Sequence, residues 1–424
     1  MDLSPAHAAL AARYPGESGV RQPVHTVYGG AHLFRADSAR RLGDRALAAL
    51  AKHAPTAAPF GRALGLGAKL ARTVYARVRE KLAREPVEDF RIDFEDGYGS
   101  RPDAEEDATA RAAAREVAQG MAQGALPPFC GIRIKPLSRD LQARAVRTLE
   151  LFLGALVERT RGALPPHFVV TLPKVVVPEQ VAALVEVFAD LEPKLGLAAG
   201  TLRLEVMVET PQALLGADGR CPLPAIVAAA GGRCVAAHFG VYDFTASLSI
   251  TAAHQRMRHP ACDLARQIMQ IALAGTGVWL SDGATTVLPV GDRQTVHRAW
   301  RLHFDDVRHS LANAYYQGWD LHPAQLATRY AALYSFFLEG LEAASLRLKA
   351  FVEKAGQATL VGDVFDDAAT GQGLLTFFLR GLNCGAITES EARATGLTLD
   401  ELRARSFLRI LEARRGNAAP RPRG

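Results

Sequence analysis

Apolar residues recur along this chain in short runs, and the stretches between them carry apolar positions at three- and four-residue spacing. That alternation is the signature of βα units on a parallel sheet. Strands are predicted near PVHTVY (23–28), DFRIDFED (89–96), FCGIRIKP (129–136), HFVVTLPKV (167–175), LRLEVMVET (202–210), CVAAHFG (234–240), GVWLSDG (277–283) and GWDLHP (318–323), enough to close a (β/α)8 TIM barrel. The connections read as helices. DAEEDATARAAAREVAQGMAQ (103–123) opens with acids suited to a helix N-terminus, and PEQVAALVEVFADL (178–191) keeps helical spacing.

Two segments exceed a minimal barrel. Residues 38–85 form an oversized connection after the first strand, read as a helical insertion in which APTAAPFGRALGLG interrupts two Ala/Arg-rich helices. Beyond residue 330 the strand signal stops, so 331–424 is expected to be a helical extension with its last ten residues disordered. This leaves 1–23 as an N-terminal segment and 24–330 as the barrel. The extension carries Leu374, Leu375, Phe377, Phe378, Leu379 and Leu382, too much apolar surface to leave in water, and is expected to pack on the barrel or on another copy of the chain.

Side chains alternate along a strand, and the alternation separates charge from grease. Phe90, Ile92 and Phe94 share one face of the second strand and leave Arg91, Asp93 and Glu95 on the other. Ile132 and Ile134 oppose Arg133 and Lys135, while Leu204, Val206 and Val208 oppose Arg203, Glu205, Met207 and Glu209. The apolar sets should face the helices and the charged sets the barrel interior. Buried charges are costly alone, so these must be paired, hold a metal or open to water at the mouth. The last inward residues, Glu95, Arg133 or Lys135, and Glu209, are the candidates for chemistry, because barrel active sites lie at the carboxyl ends of the strands.

Glu209 ends one strand and Asp243 follows the next, and two such carboxylates suit a hard divalent cation such as Mg²⁺, or Mn²⁺. Either acid can instead cap the helix that follows it. Asp93, Glu95 and Asp96 can serve as a base or orient water, and Asp93 can equally be a buried partner of Arg133. Lys174 at the end of the fourth strand is a barrel counter-ion or, with a lowered pKa, an imine-forming amine. His25, His238 and His322 read as structural.

Composition narrows the setting. The 424 residues are 49% hydrophobic and 22% charged with a net charge of +6, but the basic residues are spread along helices with no aromatic interleaving, so no nucleic-acid partner is expected. No run is long enough to span a membrane, and the N-terminus lacks the order of a secretory signal, so a cytoplasmic location without membrane association is expected. The five cysteines show no CxxC pair and read as reduced core thiols.

Taken in order, IDFEDG (92–97), RIKP (133–136), LPKV (172–175), VET (208–210), GVYDF (240–244) and GWDLHPAQL (318–326) resemble the citrate-lyase β-subunit and 2-oxo-diacid aldolase family of the pyruvate/phosphoenolpyruvate barrel superfamily. Many relatives carry Arg-x-Asn where this chain has Arg133-Ile134-Lys135. The resemblance implies Mg²⁺ on Glu209 and Asp243, Arg133 on the oxygens of an oxo acid with Lys135 beside it, and carbon–carbon bond cleavage or formation through a metal-stabilised enolate. The substrate it implies is a small 2-oxo acid or an acyl-CoA-like thioester. Thioester hydrolysis, phosphoenolpyruvate-type chemistry or non-catalytic oxo-acid binding would use the same parts. The resemblance further implies a homo-oligomer in which a C-terminal acid, Asp363, Asp366 or Asp367, reaches a neighbouring site.

Overall fold

Eight parallel strands close a barrel in chain order: β1 (His25–Gly30), β2 (Asp89–Asp93), β3 (Phe129–Arg133), β4 (Val169–Leu172), β5 (Arg203–Val208), β6 (Cys234–Phe239), β7 (Trp279–Ala284) and β8 (Gln317–Asp320). Each pairs with the next, and β8 returns to β1 through His25–Gly318 and Val27–Asp320. All eight coincide with the strands read from the sequence. The computed structural model describes residues 2–16, 20–354, 359–361, 364–366, 368–403 and 410.

Among the described residues the α-helices are α1 (Ser4–Arg13), α2 (Ser38–His53), α3 (Ala57–Leu64), α4 (Ala68–Arg84), α5 (Asp103–Gln123), α6 (Gln142–Thr160), α7 (Pro178–Lys194), α8 (Leu223–Ala228), α9 (Val241–Ser247), α10 (Pro260–Leu273), α11 (Arg293–Ala312), α12 (Pro323–Glu353), α13 (Ala368–Asn383), α14 (Glu389–Ala392) and α15 (Leu399–Arg403). Among the described residues none is long and apolar enough to cross a membrane. The outward residues of the strands, among them Ile92, Ile132, Val170, Leu204 and Val206, are fully buried. Apolar helix positions such as Ala113, Leu149, Phe152 and Phe188 are buried as well, as expected of a parallel sheet covered by helices. All five cysteines are free, and burial pushes the Cys130 and Cys234 thiols up to about 12, as inert core groups.

The chain divides into two compact units, one of residues 1–55 and 79–329, the other of 56–78 and 330–424. The second unit thus joins part of the insertion to the C-terminal extension. Within it Arg77 of α4 pairs with Glu391 at 2.6 Å and donates to the Ala386 carbonyl. Its buried side chains include Phe60, Leu64 and Val74 from the insertion and Tyr334, Phe337, Phe351 and Phe378 from the extension. The supposed interruption at 54–67 is itself helical over α3. The extension also contains strands where none was expected: β9 (Thr359–Val361) pairs antiparallel with β10 (Val364–Asp366). The overlooked signal is two apolar pairs separated by Gly362-Asp363, a residue pair typical of two-residue hairpin loops. Residues 415–424, expected to be disordered, lie outside the described residues.

Glu192, buried in α7, pins that helix to the starts of β5 and β6. It accepts from both terminal nitrogens of Arg233 (2.6 and 2.9 Å) and from the Leu202 and Gly200 N–H groups. The Arg233 hydrogen bonds, helped by the two backbone donors against the opposing effect of burial, hold its carboxyl down at about 2, below the ordinary 4.5. A carboxylate with a depressed pKa stabilises the fold above its unfolded value and loses that contribution as pH falls through the folded one. Glu192→Gln is expected to cost roughly 3 kcal/mol near neutral pH, shrinking to about 1 kcal/mol near pH ~3, when urea midpoints of the two proteins are compared.

Candidate functional site

The inward faces assigned by alternation meet in two layers. In the lower layer Arg91 forms two hydrogen bonds with Glu205 on β5 (2.7 and 2.8 Å) and one with Asp89 (2.5 Å), and Thr171 donates to Glu205 (2.5 Å). His238 sits 3.1 Å from Glu205, and its Nδ1 accepts from the Trp319 indole N–H, which leaves the ring proton on Nε2. Burial opposes ionisation of Glu205, but Arg91 and His238 outweigh it and hold the acid well below the carboxylate range. This layer is a paired floor, and Asp89, Arg91 and Glu205 also line a cavity at the other end of the barrel.

Above it, at the carboxyl ends of the strands, stand Asp93, Glu95, Asp96, Arg133, Lys174, Glu209 and Asp243. Arg133 and Asp93 face each other fork to fork, Nε to Oδ1 at 2.7 Å and Nη2 to Oδ2 at 2.5 Å, and the guanidinium lies 4.7 Å over the Tyr28 ring. Asp93 also accepts the N–H groups of Glu95 and Gly97. A Cβ on Gly97 would fall 2.6 Å from Asp93 Oδ2, so that turn admits only glycine without displacement. Of the two readings of Asp93 the structure takes the pairing with Arg133, and it corrects the expectation for Arg133. Asp93 is committed to Arg133 and is not a free base, and the planar edge of Arg133 expected to meet substrate is turned to Asp93. Its Nη1 remains, 3.2 Å from Glu95, 3.8 Å from Asp96 and 3.7 Å from the Met207 sulfur.

Lys174 follows β4 in a left-handed conformation (φ 53°). Its ammonium lies 2.5 Å from Glu95, 3.5 Å from Asp96 and 3.8 Å from Asp243. Burial works against the charge, but these three carboxylates, Glu95 first, outweigh it and raise the pKa. Lys174 is therefore a counter-ion, and the amine is not tuned for imine formation. Burial keeps Glu95 above the ordinary range, whereas Asp96, its side chain 59% exposed, is held below it. Its hydrogen bond with Glu95 and the charges of Arg133 and Lys174 outweigh partial burial.

Glu209 is 2% exposed and accepts the Lys174 N–H at 2.6 Å. Burial first, and the Asp243 charge next, push its carboxyl up to about 8. Asp243, with its side chain 44% exposed, is the third residue of α9. Neither acid caps a helix: α9 and the short turn Pro211–Ala213 begin without a side-chain cap bond. A Cβ on Gly240 would lie 2.5 Å from Glu209 Oε2, so the glycine preceding α9 makes room for the acid. Among the described residues no cluster of three or more His, Cys, Asp or Glu is arranged to hold an ion alone. Glu209 and Asp243 are two hard oxygen donors at an open mouth, a set that fits Mg²⁺, an ion that commonly keeps water and substrate as its other ligands.

The remaining candidates lie elsewhere. Lys135 turns to Glu106 of α5 and the Phe94 carbonyl (2.7 Å each) and is a structural tie, correcting its assignment to substrate: it lies two residues past the end of β3, where alternation no longer applies. His25 bonds to Asp320 at 2.7 Å, and His322 caps the N-terminus of α12 through Ala324. Asp363 and Asp367 lie outside the described residues, as does the side chain of Asp366. A cavity of about 870 Å³ opens at the other end of the barrel, among the first residues of the strands (Phe129, Val169, Arg203, Cys234, Trp279), and is no part of this site. What the sequence reading missed is Gly97, Gly240 and Tyr28. The glycines were visible in EDG and HFG, whereas the placement of Tyr28 beneath Arg133 depends on the closed barrel.

A citrate lyase from Burkholderia xenovorans LB400 superposes with a TM-score of 0.60 at 19% identity, covering 89% of this chain and 98% of that one. Protein CitE from Mycobacterium tuberculosis, in complex with magnesium, acetoacetate and coenzyme A, superposes with a TM-score of 0.51 at 17% identity over 86% of this chain and 99% of that one. At such identities the likeness is one of fold. No curated protein matches the chain. Residues 3–410 match DUF6986, a domain of unknown function, and the chain belongs to that family.

Proposed function

We propose that this protein is a divalent-metal-dependent carbon–carbon lyase or aldolase of the citrate-lyase β-subunit type, acting on a small 2-oxo acid or a related acyl thioester. The observation that carries the reading is Glu209, a buried carboxylate that shares Lys174 with Asp243, the Lys174 N–H bonded to one acid at 2.6 Å and its ammonium 3.8 Å from the other, at the mouth where barrel enzymes do their chemistry. The shared barrel of citrate lyase and of CitE, the latter seen with magnesium and a small oxo acid, supports it.

Glu209 and Asp243 would hold Mg²⁺ or Mn²⁺, which when bound supplies Lewis-acid polarisation of the substrate's carbonyl and carboxylate oxygens. Arg133 brings Nη1, the nitrogen Asp93 leaves, as a charged donor to the anionic substrate. Asp96, its side chain 59% exposed and its carboxyl held below the ordinary range, is assigned as the base. In the cleavage direction it accepts the proton of the substrate's hydroxyl as the carbon–carbon bond breaks, the electron pair passes into the enolate of the departing fragment, and the acid so formed returns the proton to the enolate carbon, the transfer that deuterium exchange reads in reverse. Asp93 and Glu95 act one step back, holding Arg133 and Lys174.

Calorimetric titration with Mg²⁺ tests the metal. Glu209→Gln and Asp243→Asn should each weaken binding about tenfold or more while circular dichroism is unchanged, since each removes a hard ligand at the mouth. Gly240→Ala should do the same with both acids in place, by crowding Glu209. Unchanged affinity in all three would sink the assignment.

The reaction is tested by Mg²⁺-dependent deuterium exchange into pyruvate or oxaloacetate. Arg133→Lys should lower the exchange rate about 100-fold, because a single ammonium cannot hold Asp93 and reach the substrate at once, and should destabilise the protein as well by loosening Asp93. Asp96→Asn should abolish exchange while leaving the unfolding midpoint within a few tenths of a kcal/mol, as for an exposed residue. Full exchange in Asp96→Asn would move the base elsewhere.

A further inference from the structure

We infer that Lys174 is a tethered cation that competes with the divalent ion at the barrel mouth, balancing the carboxylates when the ion is absent and setting how weakly it is held. The inference rests on the metal reading above. It deepens that reading by giving Lys174 a part in setting the affinity of the site for the ion.

Lys174 touches both proposed ligands at once: its backbone N–H donates to Glu209 Oε1 at 2.6 Å, and its ammonium lies 3.8 Å from Asp243 Oδ1. The same ammonium is bonded to Glu95 and lies 3.5 Å from Asp96. The left-handed backbone at this non-glycine residue is uncommon and persists where the surroundings enforce it. Here it lets one residue send its N–H to one acid and its side chain toward the other.

Charge explains why such a residue is needed. Asp93, Glu95, Asp96, Glu209 and Asp243 crowd the mouth, and the cations among them are Arg133 and Lys174. Arg133 is fixed by its fork to Asp93 and by the Tyr28 ring, so it cannot make way. Lys174 ends a flexible four-carbon stem, and its side chain is 34% exposed. A divalent ion entering between Glu209 and Asp243 meets a like charge a few ångströms away. It must either tolerate that repulsion or drive the ammonium from Asp243 back onto Glu95 and Asp96, and either way the ion is held more weakly than two carboxylates alone would hold it.

The test is calorimetric titration of Mg²⁺ and of Mn²⁺ into the full-length protein freed of metal by chelation, comparing wild type, Lys174→Met, Lys174→Gln, Lys174→Arg and Glu209→Gln. Lys174→Met should bind either ion about tenfold tighter or more, since a unit charge at this range shifts binding by at least that order. Lys174→Gln, which keeps a donor toward Glu95 without the charge, should do the same, and Lys174→Arg should stay near wild type. In thermal unfolding, Lys174→Met should lose stability when metal-free and recover it with Mg²⁺, which a purely structural lysine would not show. If wild type binds Mg²⁺ and Glu209→Gln does not, but both neutral variants bind no more tightly than wild type, the competition is refuted and the metal site stands. If neither wild type nor the neutral variants bind an ion, the metal reading fails and this inference falls with it.

Discussion

Arg91 and Glu205 meet across the barrel interior through two hydrogen bonds, with Thr171, Asp89 and His238 completing the contacts around them. Everything above depends on this layer, because charge in the interior of a parallel barrel is tolerable only when it is paired and hydrogen-bonded. With the floor paired and hydrogen-bonded, the strands present their last inward residues at fixed positions around the mouth. Asp93 and Arg133 extend the pairing by one storey, and Tyr28 fills the space beneath the guanidinium.

At the mouth compensation stops short. Five carboxylates share Arg133 and Lys174, and the shortfall shows in Glu209, whose carboxyl is pushed up to about 8 by burial and by Asp243. A structure that served stability alone would not set a second acid beside a buried one. Such an arrangement is what a cation site requires when it must also admit an anionic substrate, and strongly perturbed carboxylates in a barrel mouth mark function more often than packing. The local backbone serves the same end: glycine at 97 and 240 gives Asp93 and Glu209 room that any side chain would take.

The two compact units show a different use of the chain. Residues 56–78 belong with the C-terminal extension, tied by Arg77 and Glu391 and by buried aromatic residues from both segments. Helical spacing in the insertion and in the extension announces apolar faces that need a partner. The pairing of those faces is a contact between residues far apart in sequence, and no local pattern encodes it. The β9–β10 hairpin is the converse case, a local signal that was present at Gly362-Asp363 and overlooked beside the helical pattern around it.

The sequence by itself determined the barrel, since apolar runs of strand length separated by helical spacing leave few other ways to bury both faces of eight parallel strands. Alternation within β2, β3 and β5 likewise determined that Arg91, Asp93, Arg133, Glu205 and Glu209 face inward, because a strand's period of two allows no other choice while its apolar set is buried. Only the tertiary structure decided who pairs with whom. Asp93 rather than substrate takes the planar edge of Arg133, Lys135 leaves the mouth for Glu106, and Lys174 enters it to stand among Glu95, Asp96 and Asp243. Those outcomes turn on distances of a few ångströms between residues tens of positions apart, and on electrostatics that take effect only once the closed barrel has excluded water.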